Sequence, residues 1–141
     1  MQSGILKTFV LAAIVLGGAL TAHAGDFVVI SNPSLPVAEV SKDDLRLVFL
    51  GDKTLLGGSG VEPVLADHGA AHDSFLKECV GKSDTALRNY LKGLVFTGKI
   101  SMPKSLASDA AIVQYVAKTK GAIGYVSAAA AAGGVKTLSL K

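Results

Sequence analysis

Gly121-Ala122-Ile123-Gly124-Tyr125-Val126 is the stretch that most constrains the fold. It follows a helix-like segment, Asp109 to Lys120, and reads as a short buried strand. Glycine has little intrinsic preference for a strand. Two in one strand point to a close approach of another backbone, a bulge or a ligand. A strand that returns directly from a helix also points to layers of helix packed on sheet.

The strand needs others to pair with, and the chain supplies them between helices. Phe27-Val28-Val29-Ile30 is apolar and β-branched and predicts a buried strand that ends at Asn32-Pro33. Ser41 reads as an N-cap, with Asp43 and Asp44 in the first turn, where carboxylates suit the helix dipole. Val40 and Leu45 have the spacing of a hydrophobic staple. Leu45, Val48 and Phe49 form the inward stripe, and Gly51 is the stop. Residues 52 to 61 read as a glycine-rich flexible turn. No Gly-Lys-Ser/Thr follows Leu56-Gly57-Gly58-Ser59-Gly60, so it is not a phosphate loop.

Val61 to Ala66 predicts a second strand, and a helix is expected from about Gly69 to Val80 with Phe75, Leu76 and Cys79 on its apolar face. Ser83 caps the next helix, in which Leu87, Tyr90, Leu91 and Leu94 recur at i, i+3, i+4 and i+7. A loop runs through Met102-Pro103. Ser108 caps another helix, with Ile112, Val113 and Val116 facing in. Ala128 to Ala132 reads as a helical turn and Val135 to Leu140 as a last strand. Strands alternating with helices predict an α/β three-layer sandwich around a mainly parallel sheet.

Residues 1–24 are set aside from the fold. Lys7, the apolar run Phe9 to Leu20 and the small-x-small Ala22-His23-Ala24 predict a cleaved secretory signal peptide. The run is shorter than the ~20 residues a membrane span needs. Residues 25–141 are then one domain, expected in the periplasm and without a transmembrane segment after signal cleavage. The single cysteine, Cys79, cannot form an internal bridge and is expected to be buried. The net charge of +3 is scattered, which excludes the concentrated basic face of a nucleic-acid binder.

Several segments, in order, resemble one family. Ser41 to Gly51, with its helix leading into Phe49-Leu50-Gly51, Val61 to Phe75, Phe96-Thr97-Gly98 with Pro103, and Gly121 to Val126 are similar to segments of the phosphate-type solute-binding proteins of ABC transporters. The resemblance implies one lobe of a type-2 periplasmic binding protein, a non-enzymatic function, and phosphate or another small oxyanion as ligand. It implies a membrane transporter as partner and no cofactor. In the family an arginine and a Ser-Gly-Thr turn precede the ligand helix. Here Asp67 stands near the arginine's place, and no Ser-Gly-Thr is present.

The expected ligand-binding positions are therefore the turn His68, Gly69, Ala70, Ala71, His72 and Ser74, where helix N–H groups favour an anion. Asn32, beyond the first strand, is added because ligands of open α/β sheets lie past strand ends. Plain turn chemistry is the competing and simpler account of Asn32-Pro33. His68 and His72, four apart on one expected helix face, are the only candidates for a metal. Alternatively, Asp67 caps the helix and His72 lies at the core's edge. No nucleophile–base pair or Gly-x-Ser-x-Gly elbow is present, so the chain is not expected to be an enzyme. The competing function is a periplasmic protein-interaction module that has lost its small ligand and docks on an envelope protein.

Overall fold

The computed structural model describes residues 27–130 and 133–141. The expected signal peptide and cleavage site lie outside the described residues. The elements run β1 (Phe27–Ser31), β2 (Glu39–Val40), α1 (Lys42–Phe49), β3 (Leu55–Leu56), β4 (Ser59–Gly60), β5 (Glu62–Ala66), α2 (Ala70–Phe75), α3 (Asp84–Phe96), β6 (Lys104–Leu106), α4 (Asp109–Lys118), β7 (Ala122–Ser127) and β8 (Lys136–Leu140). A π-helical turn, Leu76–Val80, continues α2, and a 3-10 turn, Ala128–Ala130, follows β7.

Local chemistry sets the helix starts. The hydroxyls of Ser41, Ser83 and Ser108 accept from the backbone N–H of Asp44, Ala86 and Ala111. Each satisfies one donor that the first helical turn leaves without a partner. Val40 and Leu45 are both buried, as a staple requires. Within α3 only Leu87 and Leu91 of the expected stripe are buried, while Tyr90 faces outward.

A six-stranded sheet in the order β2-β8-β1-β7-β5-β6 forms the middle layer. It is mixed. β1 runs antiparallel to both β7 and β8, whereas β5 is parallel to β7 and β6, and β2 is parallel to β8. The expectation of a mainly parallel sheet missed the direction of β1, because strand direction depends on pairing with residues far along the chain.

Three further strands fall where loops were expected. The glycine-rich turn is a hairpin, with Leu55 opposite Gly60 and Leu56 opposite Ser59. Gly57 and Gly58 both have positive φ, 58° and 82°, as a tight two-residue hairpin of this kind demands. Lys104–Leu106 pairs along the edge of β5.

β7 is the axis of the core, and its two glycines do different jobs. Gly121 has φ 79°, and a Cβ there would lie 2.4 Å from the Gly60 carbonyl oxygen. Backbone approach excludes any side chain. At Gly124 a Cβ would meet Ile112 Cγ2 of α4 at 3.3 Å, so its absence lets that helix sit close to the sheet. On the opposite face Tyr125, with no exposed surface, stacks on Phe75 of α2 at 3.9 Å and 9°. Phe49 of α1 meets Phe75 edge-on at 4.9 Å. Helix α4 thus covers one face and α1 and α2 the other, which is the expected three-layer sandwich.

Candidate functional site

The segment 66–72 joins the end of β5 to α2. With Ala107–Asp109 at the start of α4 and Tyr125 and Ser127 at the end of β7, it encloses a cleft of about 220 Å³. The cleft lies past the C-terminal ends of β5 and β7, where open α/β sheets place their ligands. It gathers five expected positions, His68, Gly69, Ala70, Ala71 and His72. Ser74 lies on α2, half-buried, outside the cleft lining.

Asn32 is at the other end of the sheet. Its backbone N–H donates to the Ala122 carbonyl at the start of β7, whereas Ala66 of the cleft bonds to Tyr125 near the end of that strand. The antiparallel direction of β1 causes this separation. The Asn32 amide is also engaged. Nδ2 donates to the carbonyls of Val116 (2.9 Å) and Ala117 (3.1 Å) at the end of α4, and Oδ1 accepts from Ser34 N (2.9 Å). Those carbonyls lack partners inside the helix, so Asn32 closes the end of α4.

His72 is 1% exposed and forms the centre of a polar chain. Its Nδ1 is 2.6 Å from the Tyr125 hydroxyl, and its Nε2 is 2.7 Å from Asp84 Oδ1. The Tyr125 oxygen already accepts from Ala66 N at 3.0 Å. Burial pushes the Tyr125 phenol well above its ordinary value, so it keeps its proton. The Asp84 carboxylate can only accept, so His72 Nε2 donates to it, and in the neutral ring Nδ1 is left to accept from the Tyr125 hydroxyl.

Arg88 extends the chain. Its Nε donates to Asp84 Oδ1 at 2.8 Å, one NH₂ group donates to the Ala66 carbonyl at 3.0 Å, and the other to Ser105 Oγ at 3.3 Å. The Ser105 hydroxyl donates to Asp67. Burial raises the Asp84 carboxyl. Hydrogen bonds from His72 and Arg88, with the Arg88 charge, outweigh it and hold the group below the usual carboxylate range. A single network therefore ties β5, α2, α3, β6 and β7 together behind the cleft.

This geometry rearranges the expected metal pair. α2 begins at Ala70, with Gly69 as its N-cap and no side chain capping it. His68 lies before the helix, exposed, and does not share a helix face with His72. Both His72 nitrogens face protein partners. No group of three or more His, Cys, Asp or Glu side chains converges as a metal site among the described residues. Asp67 does not cap α2 but takes the Ser105 hydroxyl. Cys79 is buried, and burial pushes its thiol up to about 11 despite the Lys42 charge.

Reading from the sequence missed Asp84, Arg88, Ser105 and Asp109. Asp84 and Arg88 carried a local signal, since opposite charges four apart on a helix pair. Asp109 is an acid in the first turn of α4. It lines the cleft, and its Oδ2 accepts from Ser127 N at 3.3 Å. Gly69, Ala70 and Ala71 line the cleft at the start of α2, and Ser108 and Asp109 line it at the start of α4.

No protein-family model matches this chain, and no curated protein does. Its fold is similar to solved phosphate-transport binding proteins. An ABC-type phosphate transport receptor from Vibrio cholerae aligns with TM-score 0.60 and 16% identity over 82% of this chain and 46% of its own. A Clostridium perfringens substrate-binding protein of the phosphate ABC transporter type, solved with bound phosphate, aligns with TM-score 0.62 and 16% identity over 82% and 44%. PstS from Borrelia burgdorferi aligns with TM-score 0.54 and 13% identity over 82% and 47%. At these identities the likeness establishes the fold. The chain spans less than half the length of these proteins, the extent of one lobe. No helix among the described residues is long and apolar enough to cross a membrane.

Proposed function

We propose that the chain is an exported, non-enzymatic solute-binding-like lobe that takes a small oxyanion such as phosphate in the cleft of residues 66–72, 107–109 and 125–127. The carrying observation is the position of that cleft, past the ends of β5 and β7 and at the start of two helices, in a fold similar to phosphate-transport binding proteins. Unpartnered N–H groups at helix starts attract anions. Delivery to a membrane transporter is the role this reading implies, in the periplasm.

Asp109 sets the terms of binding. Its carboxylate opposes a second negative charge in a small cleft. The lobe should therefore bind phosphate weakly by itself, and removing that charge should strengthen binding. A thermal-shift titration of the protein with phosphate and sulfate tests this, because a ligand stabilises the state it binds. The reading expects a small upward shift in Tm with phosphate that grows in Asp109→Asn. A flat response from both proteins at tens of millimolar phosphate would sink it and leave docking on an envelope protein as the surviving function.

A further inference from the structure

A second cavity lies at the other end of the sheet. About 450 Å³ opens between the end of α1, the start of β5, the end of α3 and the segment 99–104. That is within the 300–1,000 Å³ range of small-molecule pockets, whereas the cleft described above falls short of it. The wall is built from core side chains. Val48, Phe49 and Leu91, each at most 1% exposed, reach it from the interior. Ile100 and Pro103 close the side, and Met102, 41% exposed, stands at the mouth.

The charged groups of the lining are one acid, Glu62, and three lysines, Lys53, Lys99 and Lys104. Glu62 accepts from the Tyr115 hydroxyl. Lys53 is paired with Asp44 at 3.3 Å. Lys99 and Lys104 make no ion pair among the described residues, and the Lys104 ammonium lies 5.7 Å from the centre of the Tyr115 ring. An apolar wall beside two ammonium groups that make no ion pair among the described residues, and that outnumber the Glu62 carboxylate, fits a ligand that is apolar at one end and anionic at the other. An inorganic oxyanion would leave the wall unused, and a neutral hydrocarbon would leave the cations unused. A cavity of about 150 Å³ holds benzene, so this one admits an aryl or medium-chain alkyl body with its carboxylate.

We propose that this pocket is a second binding site, for a small amphipathic carboxylate. Its apolar body lies against Val48, Phe49, Leu91 and Ile100, and its carboxylate meets Lys99 and Lys104. The site is independent of the oxyanion cleft and does not rest on that reading. It lies where β5 begins and where the segment 99–104 leads into β6.

Isothermal titration of the protein with 4-phenylbutyrate and decanoate, and with decanol as the neutral control, tests the assignment. Saturable binding of a carboxylate, weaker for decanol, is expected. The double variant Lys99→Ala/Lys104→Ala should lose about tenfold or more in affinity, the scale of a charge-assisted contact. Affinity should also fall as salt is raised. Excess inorganic phosphate should not compete, and Asp109→Asn should leave binding unchanged. Absence of saturable binding by either carboxylate at millimolar concentration would overturn the proposal. So would equal affinity for decanol, or full affinity in the double lysine variant whose fold is verified by circular dichroism.

Discussion

The two ends of the central sheet are built on opposite rules. At the end where β5 and β7 finish, polar side chains answer one another. Tyr125, His72, Asp84, Arg88, Ser105 and Asp67 form one continuous chain from the core to the surface. At the end where those strands begin, the pocket wall is mostly apolar, and Lys99 and Lys104 make no ion pair among the described residues. The first end holds the fold in register and leaves a small cleft with one fixed charge. The second leaves a larger cavity. Stability should therefore be concentrated at the first end, and ligand sensitivity without stability at the second.

The largest effect should come from Tyr125, which belongs to both the aromatic core and the polar chain. Tyr125→Ala removes a fully buried ring stacked on Phe75 and should cost about 3–5 kcal/mol, read from urea denaturation. Tyr125→Phe keeps the ring and removes the hydroxyl. It leaves the Ala66 N–H and His72 Nδ1 without their partner, for a cost of about 1–3 kcal/mol. If Tyr125→Phe were neutral, the polar chain would be an ornament on the core rather than part of what holds it.

Gly121 shows that the second end has one rigid point. Gly121→Ala must place a methyl against the Gly60 carbonyl oxygen in a backbone with φ 79°. A loss of about 1–3 kcal/mol is expected from the backbone conformation, and the contact adds to it. Gly124→Ala, whose Cβ would meet a side chain of α4 that can shift, should cost less. Reversal of that order would show that helix packing, not backbone approach, is what the strand's glycines serve.

A smaller effect should appear with pH. The Asp84 carboxyl is held below its ordinary value in the folded state. Its contribution is present above the unfolded value, near pH 4, and is lost as pH falls through the lower folded value. Asp84→Asn should flatten that limb of the acid denaturation profile while leaving the neutral and alkaline limbs parallel to the native protein. An unchanged acid limb in the variant would mean that Asp84 is not the group that titrates there.

These contrasts also explain what was legible in the chain. Serine caps at 41, 83 and 108 act over three residues, so their helices could be placed from sequence. The turn 68–72 was legible for the same reason, as a strand end running into a helix start. His72's partners are 12 and 53 residues away, and no local pattern announces them. His72 therefore read as a metal candidate or a residue at the core's edge when it is the hub of a network. Strand direction is equally non-local, and Asn32 was placed beside the cleft because β1 was taken as parallel. The edge strand Lys104–Leu106 has three residues, too few to show a period. The pocket had no signature at all, because its walls come from four separated segments.

The smallest expected effect is the one that separates the two ends most cleanly. Lys99 and Lys104 make no ion pair among the described residues, so Lys99→Ala and Lys104→Ala should change stability by no more than about 0.5 kcal/mol without ligand. Arg88→Ala, at the other end, leaves Asp84 without its cation and the Ala66 carbonyl without its donor, and should cost visibly more. The pair of measurements is urea denaturation of each variant at low salt, where exposed charges matter most. Comparable losses would mean that the lysines support the fold through contacts of their stems with Tyr115 or Ile100, and the cavity would then be a packing defect bridged by structural side chains. A loss confined to Arg88→Ala leaves the two ammonium groups as cations that nothing in the fold requires.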